Sequence, residues 1–200
     1  MTCRKGNPLQ KKRVEYLKFL RTWLEDKRYR ALFGLSDNIE LEAEEDFVLQ
    51  REFRIDFMFR KIEKALLLAG LFSYFRTYNL FEFKSVNDAF DLVQLIKYLG
   101  ELFWWLYTKD DMEVVLNEVT LTFMTVRKPL NVLKHLEQPH LQIDLINDSP
   151  GHYHWMVMGI PVHLLVINEL ELRPEHYAWL SFAEGKQFET YQEQLSEDVA

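Results

Sequence analysis

Two stretches of the chain alternate between hydrophobic and polar positions, which is the pattern of a strand buried on one face. In the stretch 79–84 the aromatic side chains are expected on one face, with Glu82 and Lys84 on the other. The stretch 53–60 alternates in the same way. Its predicted apolar face consists of four side chains, Phe53, Ile55, Phe57 and Phe59. If the two strands pair, Asp56 converges with Glu82 and Lys84 in one hydrophilic pocket.

A long helix is predicted directly after the second of these strands. Ser85 and Asp88 have the spacing of a capping box, and apolar positions then continue to about Tyr107. The segment is apolar nearly all round, as expected for a helix in the core. One polar stripe interrupts it at offsets of three, four and three, formed by Asp91, Gln94, Tyr98 and Glu101. Residues at these offsets share one face of a helix.

The rest of the chain predicts strands and helices without regular β-α-β alternation. An amphipathic helix with lysine and arginine at its polar positions is expected over 11–32. A short helix is expected over 61–68, followed by an extended segment over 71–74. Further strands are predicted over 47–50, directly after an acidic segment, and over 119–126, 141–146, 153–158 and 161–167. Further short helices are predicted over 130–136 and 176–182.

These elements indicate one domain of the mixed α/β (α+β) class, arranged as a sandwich of sheet and helices. The chain has 200 residues, of which 48% are hydrophobic, so it can bury one full core. Within this single domain we distinguish a basic N-terminal helix (1–34), a core (40–182) and a polar tail (183–200).

The net charge of −7 is unevenly distributed along the chain. Residues 1–30 contain ten lysines and arginines against three acids, whereas the remainder contains fourteen against twenty-eight. An acidic protein is a poor non-specific binder of nucleic acid, so only the basic segment favours such a partner. An ordinary solvent-exposed helix face explains this segment equally well.

Composition disfavours several other classes of protein. The sequence has no run of about 18 uncharged apolar residues, which predicts that no helix spans a membrane. Its charged beginning is unlike a signal peptide. A single cysteine can form neither an internal disulfide nor a cysteine-built zinc site. The cytoplasm is the location that these features favour.

Asp56, Glu82 and Lys84 are the strongest candidates for chemistry. Hydrolysis of a phosphodiester needs hard oxygen ligands for Mg²⁺ or Mn²⁺, and a cation near the attacking water and the phosphate. Two carboxylates and a lysine on neighbouring strands supply these groups, and the backbone carbonyl of Phe83 can add a further oxygen ligand. The alternative is a structural cross-strand ion pair, worth a fraction of a kcal/mol.

Other polar side chains are expected around this site. Gln94 and Tyr98 lie four residues apart on the following helix and can present an amide and a phenol to one ligand. Asp91 is expected one turn earlier, above the lysine. Arg54 and Arg60 flank Asp56 on its own strand face, where they could bind phosphate or instead neutralise the acid in place of a metal.

These residues together resemble the PD-(D/E)XK nuclease superfamily. The pattern Asp56 … Glu82-Phe83-Lys84 is similar to its D … ExK core, and Gln94-x-x-x-Tyr98 is similar to the QxxxY helix of RecB-like members. The segment around Glu82 also resembles uncharacterised bacterial proteins allied to the recombination-promoting nuclease and transposase group. The similarity extends over roughly residues 50–182, most of the chain.

The resemblance implies a central mixed sheet flanked by helices and a metal-dependent nuclease that acts on DNA. It further implies that Asp56 and Glu82 bind Mg²⁺ or Mn²⁺, that Lys84 positions the water, and that Gln94 and Tyr98 line the site. The sequence departs from the superfamily at two points. No proline precedes Asp56, and no upstream helical glutamate is identifiable.

Alternatives to the nuclease interpretation stay open at the level of sequence. A non-catalytic interaction or regulatory module would keep the same fold without cutting DNA. His152 and His154 would share one strand face, with His163 on a neighbouring strand, and a zinc site there would need a ligand brought in by folding. Scattered histidines are the simpler interpretation. The pair Trp104 and Trp105 favours the core or a homodimer face over a base-stacking platform.

Overall fold

The computed structural model describes residues 39–44, 55–61, 70–88, 90–107 and 116–199. Seven strands lie in these residues: β1 (Ile39–Glu44), β2 (Phe57–Lys61), β3 (Tyr78–Lys84), β4 (Val119–Thr125), β5 (Ile146–Ser149), β6 (His152–Val157) and β7 (Ile160–Val166). The same residues contain four α-helices: α1 (Leu92–Tyr107), α2 (Leu130–Leu136), α3 (Tyr177–Leu180) and α4 (Lys186–Val199). No helix among them is long and apolar enough to cross a membrane.

The strands form one mixed sheet in the order β1-β2-β3-β4-β7-β6-β5. The three central strands, β3, β4 and β7, are parallel, and the two flanks are antiparallel meanders. Helix α1 connects β3 to its parallel neighbour β4, as a parallel pair requires a crossover. The prediction of a mixed α/β domain is therefore confirmed.

Each face of the sheet has its own hydrophobic core. One core joins the phenylalanines of β2 and β3 to α3 and α4, with Trp179 at its centre. The other joins the opposite sheet face to α1 and α2, around Trp105 and Trp155. Alternation along β3 explains the division, because Phe81 and Phe83 enter the first core and Leu80 enters the second. Glu82 and Lys84 therefore lie on the α1 side, as the pattern predicted.

The helix after β3 starts later than predicted. Ser85 and Asp88 form a separate turn, in which the Asp88 amide donates to the Ser85 carbonyl at 3.0 Å. Helix α1 begins at Leu92, because Oδ1 of Asp91 accepts a hydrogen bond from the Gln94 amide at 2.9 Å and caps the first turn. The helix continues to Tyr107, the last described residue before the gap at 108–115.

Several other boundaries differ from the sequence prediction. The acidic segment expected to precede a strand is itself strand β1, paired with β2. The segment 71–74 is not extended but belongs to a turn that begins as a 3₁₀ helix at Gly70. The strand predicted over 141–146 lies instead at β5, and the polar tail forms helix α4, whose Phe188 and Tyr191 pack on the first core.

Other predicted elements agree or lie outside the described residues. Six elements occur where they were predicted, within two residues at each end: strands β3, β4, β6 and β7 and helices α2 and α3. The predictions for 1–34, for 47–50 and for most of 61–68 fall outside the described residues, as does Arg54.

Candidate functional site

Strands β2 and β3 bring Asp56 next to Glu82. Their antiparallel ladder ends at the pair Phe57 and Phe81, and Asp56 lies in a bend directly before β2. Beyond the ladder, the amide of Phe83 donates to Oδ2 of Asp56 at 3.0 Å, and the amide of Asp56 donates to Oε2 of Glu82 at 3.2 Å. Two side chain to backbone hydrogen bonds thus hold both carboxylates at the point where the strands separate.

The bend also corrects the predicted face of the first strand. Ile55 packs in the core under α1, whereas Phe57 and Phe59 pack in the opposite core. The alternation therefore does not extend back through Asp56. Asp56 lies in the bend where the alternation ends, and its amide bonds to the Glu82 carboxylate.

Lys84, Glu82 and Tyr98 form a closed cluster beside these carboxylates. Nζ of Lys84 donates to Oε1 of Glu82 at 2.7 Å and to the Tyr98 hydroxyl at 2.8 Å. The Tyr98 hydroxyl also donates to Oε1 of Glu82. Strand alternation places Glu82 and Lys84 on one side, and the second turn of α1 places Tyr98 over them.

Because the cluster is buried, its charged groups depend on one another for ion pairing and hydrogen bonding. Glu82 is fully buried, and Lys84 and Asp56 are 4% and 3% exposed. A buried charge is tolerated only when it is paired and hydrogen-bonded, and the ammonium beside Glu82 meets that need. The predicted convergence of the two acids and the lysine is present, in a largely dehydrated setting.

The other predicted site residues are placed less directly. Gln94 is half-buried one turn before Tyr98, and its side chain makes no hydrogen bond to another described residue. Asp91 is exposed, and its Oδ1 caps the first turn of α1. The amide of Phe83 is bound to Asp56, and its ring belongs to the core beside Phe182. Arg60 is exposed on β2.

A cavity of about 190 Å³ opens where β3 and β4 end, with Lys84 in its wall. The carboxyl ends of parallel strands are a common place for ligands in α/β sheets. Sequence reasoning missed the cavity's other polar lining residues, Ser85, Asp88, Thr125, Arg127 and Lys128. A signal was available, because Arg127 and Lys128 directly follow a predicted strand.

Two cationic side chains that line this cavity form ion pairs with nearby carboxylates. Arg127 pairs with Glu184 at 2.9 Å, and Nζ of Lys128 lies 3.1 Å from Oε1 of Glu169. Lys128 also donates to the Tyr153 hydroxyl at 2.5 Å, and this hydrogen bond is the main reason that the pKa of Lys128 is raised. The buried Thr125 hydroxyl has no hydrogen-bond partner among the described residues.

Within the described part of the chain, no three His, Cys, Asp or Glu side chains are arranged as a ready metal site. Asp56 and Glu82 offer two carboxylates. Mg²⁺ is commonly held in proteins by one or two carboxylates and completes its octahedron with water and substrate phosphate. The oxygen donors therefore fit Mg²⁺ or Mn²⁺ in chemical type and in number.

The three histidines converge on the opposite face of the sheet. Nε2 of His152 lies 2.9 Å from Nδ1 of His163, and Nδ1 of His154 lies 2.6 Å from Oδ2 of Asp148. The ring of Tyr74 stacks on His163 with 3.6 Å between centroids. Burial, with smaller effects from the neighbouring basic side chains, lowers the pKa of His163 to about 2, so this imidazole is neutral near pH 7. Sequence reasoning did not find Asp148 or Tyr74.

No protein-family model matches the sequence, and no curated protein or solved structure is significantly similar to it. A sheet of this class supports many activities. Function therefore has to be inferred from the side chains that the fold brings together.

Proposed function

We propose that this protein is a divalent-metal-dependent phosphodiesterase with a PD-(D/E)XK-type core, acting on DNA. The observation that carries the proposal is the junction of Asp56, Glu82 and Lys84. The Asp56 carboxylate, from the bend before β2, and the Glu82 carboxylate, on β3, are held by hydrogen bonds to backbone amides, and Lys84 reaches a cavity. These are the groups that metal-assisted phosphodiester hydrolysis requires.

The two carboxylates would hold Mg²⁺ or Mn²⁺, and the Phe83 carbonyl is a further candidate ligand. A bound cation of this kind would neutralise charge on the phosphate and lower the pKa of a coordinated water. The chain itself would supply the rest. Lys84 would stabilise negative charge that develops on the phosphate, while its hydrogen bond from Nζ to Tyr98 keeps the ammonium oriented.

Arg127 and Lys128 would contact the DNA backbone at the cavity rim. Arg127 is 70% exposed in its pair with Glu184, so the pair can exchange for a phosphate at little cost. Such contacts position a strand without reading its sequence. Because each phosphate that a lysine or arginine neutralises releases counterions, this binding should weaken as salt is added.

Plasmid nicking tests the proposal. We expect the wild-type chain to relax supercoiled DNA in Mg²⁺ or Mn²⁺ but not in EDTA. Asp56→Asn retains an acceptor for the Phe83 amide yet loses a metal ligand, so cleavage should fall on the order of hundredfold. Asp148→Asn removes a carboxylate on the opposite sheet face and serves as the matched control. Wild-type protein without any metal-dependent cleavage of double- or single-stranded DNA would refute the activity.

A second candidate is a non-catalytic interaction module that retains this core. The observation in its favour is the complete burial of Glu82, with Oε1 engaged by both Lys84 and Tyr98. Mn²⁺ binding followed by calorimetry separates the candidates independently of cleavage. The nuclease requires binding that Asp56→Asn weakens, whereas the inert module predicts no binding and an unchanged thermal midpoint in Mn²⁺.

A further inference from the structure

Helix α1 has a second apolar face that points away from the sheet. Its buried face contains Leu95, Tyr98, Leu102, Trp105 and Leu106. On the outer face four large side chains are exposed: Val93 by 72%, Ile96 by 68%, Trp104 by 41% and Tyr107 by 73%. Together with Gly100 they form what we call the Gly100 stripe, which spans an arc of about 80° at 100° per residue.

An exposed area of this kind needs an explanation. The four side chains expose on the order of 500 Å², at the upper end of the apolar patches found on monomeric proteins. Single exposed hydrophobic residues are ordinary, but an unbroken stripe along four helical turns marks an interaction surface.

Gly100 gives an independent sign that something approaches this face. A glycine inside a helix costs about 1 kcal/mol relative to alanine. A Cβ built on Gly100 meets no atom within 4 Å, so packing within the described chain does not require glycine there. Close approach of a second helix would explain the glycine, because a missing side chain lets two backbones cross at short distance.

The stripe is symmetric about Gly100 in sequence. Val93 and Tyr107 lie seven residues on either side of it, and Ile96 and Trp104 lie four residues on either side. An antiparallel second copy related by a two-fold axis at Gly100 would bring each aliphatic side chain against an aromatic one. At each of these positions a smaller side chain of one copy would face a larger side chain of the other. The two glycines would meet at the centre of the contact.

We propose that this face of α1 is a homodimer interface, with two copies of α1 packed antiparallel across Gly100. Self-complementarity is the property that a two-fold interface demands, and the stripe has it along its whole length. The buried area is at the low end of specific interfaces, so association in the micromolar range is expected. The proposal does not depend on the nuclease activity.

Sedimentation equilibrium of the full chain tests the interface. The wild type should approach twice the chain mass of 24.1 kDa at high concentration. A Cβ at the exposed Gly100 meets no other atom, so Gly100→Arg should leave the monomer folded but block the crossing and weaken dimerisation on the order of tenfold or more. Met158→Arg alters an apolar residue that is 79% exposed elsewhere and should dimerise as the wild type does. A Gly100→Arg variant that still dimerises like the wild type would overturn the proposal.

Cysteine cross-linking tests the antiparallel arrangement. In a Cys3→Ser background, a mixture of Ile96→Cys and Trp104→Cys chains should form a mixed disulfide faster than either variant alone. Faster disulfide formation between two Ile96→Cys chains would indicate a parallel pair of helices and contradict the antiparallel arrangement. A wild type that stays monomeric while Ile96→Glu lowers its stability would show that another segment of the same chain covers the stripe, which also overturns the proposal.

Discussion

Nζ of Lys84 lies 2.7 Å from Oε1 of Glu82, and both side chains are almost completely buried. Glu82 and Lys84 are two residues apart and lie on the same face of β3. Strand geometry alone therefore brings their charges together. Their partner Tyr98 comes from α1 and ties the helix to the sheet through the same oxygen.

Removing one member of this pair should lower the free energy of unfolding far more than removing both. Lys84→Met leaves the Glu82 carboxylate buried without its cation, and we expect a loss of about 3–5 kcal/mol in the free energy of unfolding. Adding Glu82→Gln should recover much of that loss, because no charge is then buried. Urea unfolding of the wild type, the two single variants and the double variant measures the coupling energy between Glu82 and Lys84 in this double-mutant cycle.

The exposed pair of Arg127 and Glu184 is the matched control for that cycle. Its side chains are 70% and 36% exposed, and the coupling energy there should stay below about 1 kcal/mol. Equal coupling in the two cycles would mean that the Glu82 and Lys84 pair is solvated in solution.

Asp56 should have a structural role that can be separated from metal binding. Asp56→Ala removes the acceptor of the buried Phe83 amide, which should lower the free energy of unfolding by about 1–3 kcal/mol. Asp56→Asn keeps an oxygen in that position and should lose less. Thermal melts in EDTA compare the two variants, and equal destabilisation would contradict the hydrogen-bonding role.

The buried histidine cluster should make the protein less stable at acid pH. Burial lowers the pKa of His163 to about 2, whereas an unfolded histidine titrates near 6.5. Below that pH the unfolded chain binds the additional proton, so the free energy of unfolding falls by up to about 1.4 kcal/mol per pH unit. Burial lowers the pKa of His152 as well, with the same sign.

Urea titrations between pH 7.5 and 5 measure this slope. His163→Gln should flatten it, while His140→Gln, which changes an exposed residue, is the control. A wild-type slope that His163→Gln leaves unchanged would assign the acid sensitivity to other groups.

Sequence patterns predicted the elements whose local signal agrees with their packing. Phe81, Glu82 and Phe83 alternate because β3 separates two cores, and Tyr98 could be placed because helical spacing is regular. The predicted start of α1 was wrong because the sequence offers two capping signals, at Ser85 and at Asp91. The Asp91 side chain is the one that bonds to the first turn. The acidic composition of β1 concealed a strand that is specified by its pairing with β2.

Other parts of the site depend on contacts between distant segments. Lys128 follows β4 and Glu169 follows β7, so this pair, 41 residues apart, forms only when β4 and β7 pair. The bend at Asp56 likewise includes a hydrogen bond to Glu82, which lies 26 positions away in sequence. Periodicity contains no information about such pairs.

Gly151 provides a prediction that rests on backbone geometry. It has a φ of 76°, and a Cβ there would lie 2.7 Å from the carbonyl oxygen of Val166. Gly159 has a similar φ of 85° but open space around it, so it isolates the effect of the clash. Gly151→Ala should therefore lower the thermal midpoint more than Gly159→Ala, and equal shifts would show that the positive φ alone determines the cost.

The pairing of β4 with β7 has a consequence for how the chain folds. The meander of β5, β6 and β7 joins strands that are neighbours in sequence, as does the pair of β2 and β3 on the other side. Leu121 and Val162 meet only after a loop containing α2 and two strands has closed. Because such closure has to precede any gain from the contact, joining the two halves at this seam should limit the refolding rate.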